Sequence, residues 1–144
     1  MKPFRFPLER VLEWRRGEFE TEQAALRLLH AEREGTAARR RTLAESLERE
    51  RRMLVSPGDV SGETLAALEA YRDWVRRETL RLEDRIRQLD RRIAEQRGRV
   101  IEAQRKVKLL ERLREKALRQ WTAEVNREIE SFAAEAFLAR WRPG

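Results

Sequence analysis

The chain has 144 residues, of which 41% are charged and 7% aromatic, and it carries a formal net charge of +7. This composition leaves too little apolar volume for a layered globular core, but enough for a thin seam between two helices. The absence of cysteine excludes a disulfide framework, a thiolate zinc site and a cysteine nucleophile.

We expect no secretory signal, because residues 1–6 lack the apolar run that such a signal needs. No later stretch is apolar over the roughly 18 residues of a membrane-spanning helix. These features, with the missing cysteines, predict a soluble, cytoplasmic protein.

A first helix is predicted over residues 7–54, with Pro7 suited to its first turn. Its apolar residues recur at alternating spacings of three and four, which is the heptad period of a coiled coil. Just over half of these seam positions are apolar. A strong breaker follows at residues 56–59, after which Ser61 can cap a new helix, so we expect a turn at about residues 55–61.

The second predicted helix covers residues 62–141 and carries the stronger seam, unbroken from Leu65 to Trp121. The predicted fold is all-α: an antiparallel two-helix coiled-coil hairpin with a longer second helix, forming one domain over residues 1–144. A tight reversal at the breaker selects a register that places Leu12 opposite Ala103 and Leu26 opposite Leu89. Registers slipped by one heptad match the two seams equally well, so the choice rests on the turn.

In this register the second helix passes the start of the first near Val107 and leaves an overhang of roughly 30–35 residues, on the order of 50 Å long. The overhang is apolar, and a lone helix in water cannot bury such a stripe. We therefore expect a second copy or another protein to cover it. Its apolar residues are Leu110, Leu113, Ala117, Leu118, Trp121, Val125, Ile129, Phe132, Ala136, Phe137, Leu138 and Trp141.

Positive charge is concentrated in residues 97–119, here called the basic band, where nine basic and three acidic side chains give a local net charge of +6. Such a band attracts an acidic protein surface or a phosphate backbone. The alternative is a solvated helix flank, which coiled coils often have. Tyr71 and Trp74 are a second candidate surface, since they lie three residues apart outside the seam. Packing near the turn is their alternative role.

Motifs for catalysis are absent from the sequence. The six glycines form no phosphate-binding loop, and no hydrolase or metalloprotease motif occurs. The single histidine, His30, has no companion ligand for a metal. We therefore predict a protein without enzymatic activity, cofactor or metal.

Three features of the sequence occur together in one known family. The most specific is an amino-terminal pattern, made by Phe4, Phe6, Leu8, Glu9, Val11 and Leu12. The others are the basic, Leu-rich run over residues 99–115 and the aromatic positions Tyr71 and Trp74. In these features the chain resembles the FliJ family of flagellar type III export proteins.

The resemblance implies a stalk similar to the central shaft of rotary ATPases, which inserts its termini into the pore of the hexameric flagellar export ATPase and activates it. It also implies links to the export gate and to export chaperones, and peripheral association with the inner membrane through these partners. The related injectisome stalks share this architecture. For the ATPase end the resemblance indicates Phe4, Phe6, Arg99, Arg105, Lys106, Lys108, Arg112, Trp121, Phe132, Phe137 and Trp141, and for the gate or chaperone end Tyr71 and Trp74.

Two other classes of function fit the same residues. A basic coiled coil with aromatic side chains can bind nucleic acid, with arginine on phosphates and tryptophan stacked on bases. A structural coiled coil can instead pair its overhangs between copies. The first class predicts DNA binding with a steep salt dependence, and the second requires no other partner.

Overall fold

The computed structural model describes residues 2–54 and 61–141. It contains two helices, α1 at Glu9–Leu54 and α2 at Gly62–Arg140, and no strand in the described residues. The helices pack against each other, which confirms the predicted all-α two-helix hairpin with a longer second helix. The predicted turn, residues 55–61, lies outside the described residues except for Ser61.

The residues before each helix favour a helix start: a proline before α1 and a serine before α2. Pro7 lies in the turn before α1, where the Glu9 N–H donates to the Phe6 carbonyl at 3.1 Å. Ser61 precedes α2, and its hydroxyl oxygen accepts the Thr64 N–H at 3.2 Å. This is the N-cap expected from the sequence, since it satisfies one of the free N–H groups of the first turn.

The described residues pack as two units. One, here called the turn-side unit, is Glu22–Val100. Its core is a line of buried α2 side chains facing α1: Val75, Leu82, Leu89, Ile93 and Gln96. The helices run antiparallel within it, because Arg40 pairs with Glu83 and Arg33, one heptad earlier, pairs with Asp90.

The other unit, here called the terminal unit, combines Met1–Thr21 with Ile101–Gly144. Its core is formed by Leu12, Val107 and Leu110, with Phe19 packed against them. Leu12 is completely buried. Two ion pairs join the helices here, Arg16 with Glu111 at 3.4 Å and Arg114 with Glu9 at 2.9 Å.

The predicted register is wrong by about one heptad in both units. Leu12 packs against Val107 and Leu110 rather than lying opposite Ala103. Arg33 bonds to Asp90. The neighbour of Asp90, Leu89, was predicted to face Leu26, which lies seven residues before Arg33. Seams with a seven-residue repeat match equally well after a slip of seven, so only the turn distinguished the registers. The assumption of a tight reversal selected the wrong one. In consequence α2 passes the start of α1 at Arg114, not at Val107.

Candidate partner-binding surfaces

Residues 2–6, here called the N-terminal strap, lie along α2 beyond the start of α1. The indole Nε1 of Trp121 donates a hydrogen bond of 3.0 Å to the Lys2 carbonyl. The Phe4 ring lies 6.0 Å from the Trp121 ring, centroid to centroid, and the Arg114 guanidinium lies 5.5 Å from the Phe4 centroid. Phe4 and Phe6 are half-buried. The strap therefore replaces α1 as the cover of this part of α2.

The sequence explains why the strap is not helical. Pro3 and Pro7 lack the backbone N–H that a helix interior needs, and each disfavours helical backbone in the residue before it. Arg114 connects the strap to α1, since it pairs with Glu9 while its guanidinium covers Phe4. A shallow groove runs between strap and helix, lined by Lys2, Pro3, Phe4, Arg5, Ala117, Gln120, Trp121 and Glu124.

Residues 122–140, here called the carboxy-terminal tail, continue α2 past the strap. Val125 is half-buried, and the large apolar side chains after it are exposed: Ile129 by 49%, Phe132 by 75%, Phe137 by 62% and Leu138 by 65%. Trp141, just after the helix, is 74% exposed. Three of the aromatic residues predicted to contact a partner, Phe132, Phe137 and Trp141, are thus accessible in this chain.

The basic residues of the terminal unit that the sequence pointed to are all exposed: Arg105, Lys106, Lys108 and Arg112. Arg105 has a carboxylate within reach, at 3.8 Å in Glu102. The structure adds three apolar side chains to this surface, Ile101, Leu109 and Leu113, which are 50%, 60% and 43% exposed. The terminal unit therefore presents a surface that is both basic and apolar.

The remaining candidates lie in the turn-side unit. Arg99 is exposed there. Tyr71 and Trp74 form an aromatic pair with centroids 6.0 Å apart. Tyr71 is half-buried, and its hydroxyl lies 2.6 Å from the Ser46 hydroxyl of α1, whereas Trp74 is 45% exposed. Tyr71 thus has the packing role that the sequence left open, and Trp74 is the accessible member of the pair.

Sequence reasoning missed the strap and the residues that hold it. The signal was present in Phe4 and Phe6, which alternate along a segment bounded by Pro3 and Pro7, a pattern typical of extended chain lying on an apolar surface. Gln96 was a position of the predicted seam, and it is buried. Its hydrogen bonds were missed: the side chain donates to the backbone carbonyl of Glu22 at 3.0 Å and also bonds to the Glu22 carboxylate.

The shifted pKa values belong to ion pairs between helices or along one helix. A hydrogen bond from Arg81 is the main cause that lowers the pKa of Glu78, and the Glu78 carboxylate in turn raises the pKa of Arg81. The hydrogen bond to Asp90 raises the pKa of Arg33. These groups stabilise the hairpin. The part of the chain that the structure describes contains no group of three or more His, Asp or Glu side chains able to hold a metal ion.

The architecture defines a coiled-coil hairpin protein whose notable surfaces are suited to protein partners: an aromatic helical tail, a basic face and a strap. The chain matches the family described as "Flagellar FliJ protein" over residues 4–129. It belongs to the FliJ family, as the resemblance in sequence predicted. Neither the curated proteins nor the solved structures gave a match.

Membership in this family gives the chain a function related to flagellar export and an association with the flagellar export apparatus. The family is a non-catalytic component of that apparatus. In residues 2–54 and 61–141, neither helix contains a stretch apolar and long enough to cross a lipid bilayer.

Proposed function

We propose that the chain is the stalk of the flagellar type III export ATPase. In this role the terminal unit enters the pore of the ATPase hexamer, promotes its assembly and raises its activity. The turn-side unit contacts the export gate and export chaperones. The observation that carries the proposal is the exposed aromatic tail beside a basic surface in the terminal unit.

The distribution of apolar side chains around the tail supports a partner that surrounds it. Phe132, Phe137 and Leu138 are all exposed, and at about 100° per residue they point to different sides of the helix. A flat surface or a single groove can cover one side only. The wall of a pore can contact several sides at once, and covering each aromatic ring contributes on the order of 1 kcal/mol or more.

Charge supports the same orientation. The exposed basic residues of the terminal unit lie on α2 just before the tail. If the tail enters a pore, these residues reach the rim, where acidic loops of the ATPase would meet them. Charge complementarity of this kind speeds association and fixes orientation more than it adds affinity. The exposed Trp74 of the turn-side unit is then the anchor available to the gate or a chaperone.

The decisive test measures steady-state ATP hydrolysis and the hexamer fraction of the cognate export ATPase with and without this protein. Truncation after Arg119 removes Trp121 as well, and so disturbs the strap. A sharper variant is Phe132→Ser with Phe137→Ser, because both side chains are exposed and their loss leaves the core of the hairpin intact. We expect the intact chain to stimulate hydrolysis and this variant to lose most of the stimulation.

A matched control is Leu28→Ser with Leu80→Ser, which removes two side chains of the turn-side unit that are 72% and 63% exposed. It should stimulate the ATPase as the unchanged chain does. If the intact chain has no effect on hydrolysis or hexamer formation, the stalk proposal is rejected. Equal loss in the control and the tail variant would show a general effect of surface polarity and reject the tail as the contact.

A further inference from the structure

We propose that the carboxy-terminal tail of one copy docks on the basic outer face of α2 in a second copy, so that free chains associate head to tail. The inference is independent of the ATPase proposal, although both use the tail. It rests on two surfaces of the terminal unit that complement each other in apolar pattern, in charge and in length.

The first surface, here called the outer face, lies on the side of α2 turned away from α1. Its exposed apolar residues are Ile101, Leu109 and Leu113. Three basic side chains lie on the same side at a spacing of four residues, and all are exposed: Lys108, Arg112 and Lys116. Among the described residues these three have no carboxylate within 4.0 Å. Arg105 on the same side of the helix is paired with Glu102 at 3.8 Å. Lys108, Arg112 and Lys116 can therefore accept carboxylates of an acidic amphipathic helix without first breaking an ion pair of their own.

The second surface is an apolar stripe along the tail, made by Val125, Ile129 and Phe132. Their spacing of four and then three is the heptad spacing that a partner helix covers. Three exposed carboxylates follow one edge of the stripe, in Glu124, Glu128 and Glu135. No ion pair involves these carboxylates within the part of the chain that the structure describes. The tail is thus an acidic amphipathic helix on a chain whose overall charge is +7.

The two surfaces match in length as well as in charge. The outer face, residues 101–116, spans about 22 Å of helix at 1.5 Å per residue, and the tail surface, residues 124–135, spans about 16 Å, so the second fits within the first. Docking one on the other brings apolar residues together and places three carboxylates near three basic groups. Burying the apolar side chains supplies most of the affinity, while the charges fix the partner surface.

The geometry of α2 decides the kind of assembly. The tail stripe lies on the same side of α2 as Val107 and Leu110, which pack against α1. The outer face lies on the opposite side of α2, about half a turn around the helix. Two copies cannot satisfy both contacts at once along straight helices, so each added copy leaves one tail and one outer face free. The association is therefore heterologous and open, and it grows with protein concentration.

Sedimentation velocity of the full chain, over about a hundred-fold range of concentration, tests the inference. We expect the mean mass to rise with concentration and to fall as salt is added, because the contact includes exposed charges. Two charge reversals should each weaken association by about tenfold or more. They are Glu124→Lys with Glu128→Lys and Glu135→Lys in the tail, and Lys108→Glu with Arg112→Glu and Lys116→Glu on the outer face.

Mixing the two reversed proteins is the most discriminating step. The tail of one is then basic and the outer face of the other is acidic, so these two surfaces attract each other. We expect the mixture to associate although neither protein does so alone. A control carries Glu45→Lys, Glu69→Lys and Glu95→Lys, three exposed glutamates of the turn-side unit. It has the same net charge as the reversed tail and should associate as the unchanged chain does. Circular dichroism of every variant confirms that the helices are intact.

A monomer at every concentration overturns the inference, as does association that both reversals leave unchanged or a mixture that stays monomeric. Association that disappears after nuclease digestion also overturns it and identifies nucleic acid on the outer face. Failure of the ATPase assay has no bearing on these outcomes, since no ATPase is present.

Discussion

The indole nitrogen of Trp121 donates its hydrogen bond to the backbone carbonyl of Lys2, a residue 119 positions away in the sequence. An indole N–H can only donate, and its acceptor here is main chain, so the contact does not depend on the Lys2 side chain. It holds the strap about two helical turns beyond Arg114, where α1 has already ended. The terminal unit thus covers more of α2 than its two helices alone would.

Replacement of Phe4 by alanine should release the strap. The ring lies against Trp121 and beneath Arg114, and its loss removes the apolar anchor between Lys2 and the start of α1. We expect trypsin to cleave after Arg5 several-fold faster. Because Phe4 is only half-buried, the free energy of unfolding should fall by about 1–2 kcal/mol rather than by the 3–5 kcal/mol of a core phenylalanine.

Leu28→Ala is the control for this experiment, since Leu28 is 72% exposed and belongs to the turn-side unit. Its cleavage pattern should match that of the unchanged chain. Equal cleavage rates after Arg5 in Phe4→Ala and the unchanged chain would show that the strap is not held by the aromatic contact.

The register can be measured directly by cysteine crosslinking. The chain contains no cysteine of its own, so only the introduced pair of cysteines can link. Leu12→Cys with Leu110→Cys joins two side chains that pack together in the core of the terminal unit. We expect this pair to link within one chain on mild oxidation or with a short thiol crosslinker. Leu12→Cys with Ala103→Cys tests the register predicted from the seam. This pair should link much more slowly, because Ala103 lies about 10 Å along α2 from Leu110.

Mass spectrometry under denaturing conditions distinguishes links within a chain from links between chains. Faster linkage of the Ala103 pair would contradict the packing of Leu12 on Val107 and Leu110. Links mainly between chains would show that α1 pairs with another copy in solution.

A heptad repeat determines the helices and their pairing but leaves the register between them open. Heptad spacing predicted both helices and their antiparallel pairing, because only the seam can be buried in a chain so rich in charge. The same repeat could not fix the register, since a slip of seven residues again places seam positions opposite seam positions. The hydrogen bonds from Gln96 to Glu22 illustrate what the repeat leaves open, because an apolar period does not predict polar contacts.

The candidate surfaces were predictable in part for a similar reason. Apolar stripes are visible in a sequence, so the tail was found, with Phe132 and Phe137 exposed on it. The overhang prediction included Leu113 but not Ile101 or Leu109, whose exposure depends on which side of α2 faces α1. The strap was missed since its contact with Trp121 joins distant parts of the chain without any periodic pattern.

Gln96 should specify the pairing of the helices more than it stabilises them. It is only 7% exposed and is hydrogen-bonded to Glu22 across the seam. Gln96→Ala removes these bonds and leaves a cavity, so the free energy of unfolding should fall by about 1–3 kcal/mol. Gln96→Leu fills the site with an apolar side chain and should leave stability equal or higher.

Urea unfolding of the two variants measures these changes. A second measurement uses the Leu12 and Ala103 cysteine pair in the Gln96→Leu background, where linkage should become faster as slipped registers gain population. Equal destabilisation by alanine and leucine would show that Gln96 contributes by its hydrogen bonds alone, against the role in register.

Acid should remove the contribution of Glu78 to stability. Its carboxylate accepts hydrogen bonds from Arg81 and lies 3.5 Å from Arg39 of α1. The hydrogen bond from Arg81 is the main cause that lowers its pKa below the ordinary 4.5, and partial burial opposes the shift. Because the folded pKa is the lower one, this stabilisation is fully present above pH 4.5 and is lost as the pH falls through the folded value.

Comparison with Glu78→Gln isolates this effect, since every other carboxylate titrates in both proteins. The unchanged chain should unfold at higher urea than the variant at neutral pH, and the two midpoints should converge in acid. Added salt should narrow the neutral-pH difference, because Arg81 is 67% exposed and its pairing is screened. Glu69→Gln, at an exposed position without an ion pair in the described residues, should match the unchanged chain throughout. A constant gap between the Glu78→Gln variant and the unchanged chain from neutral to acid pH would show that packing of the side chain, rather than its charge, stabilises this part of the hairpin.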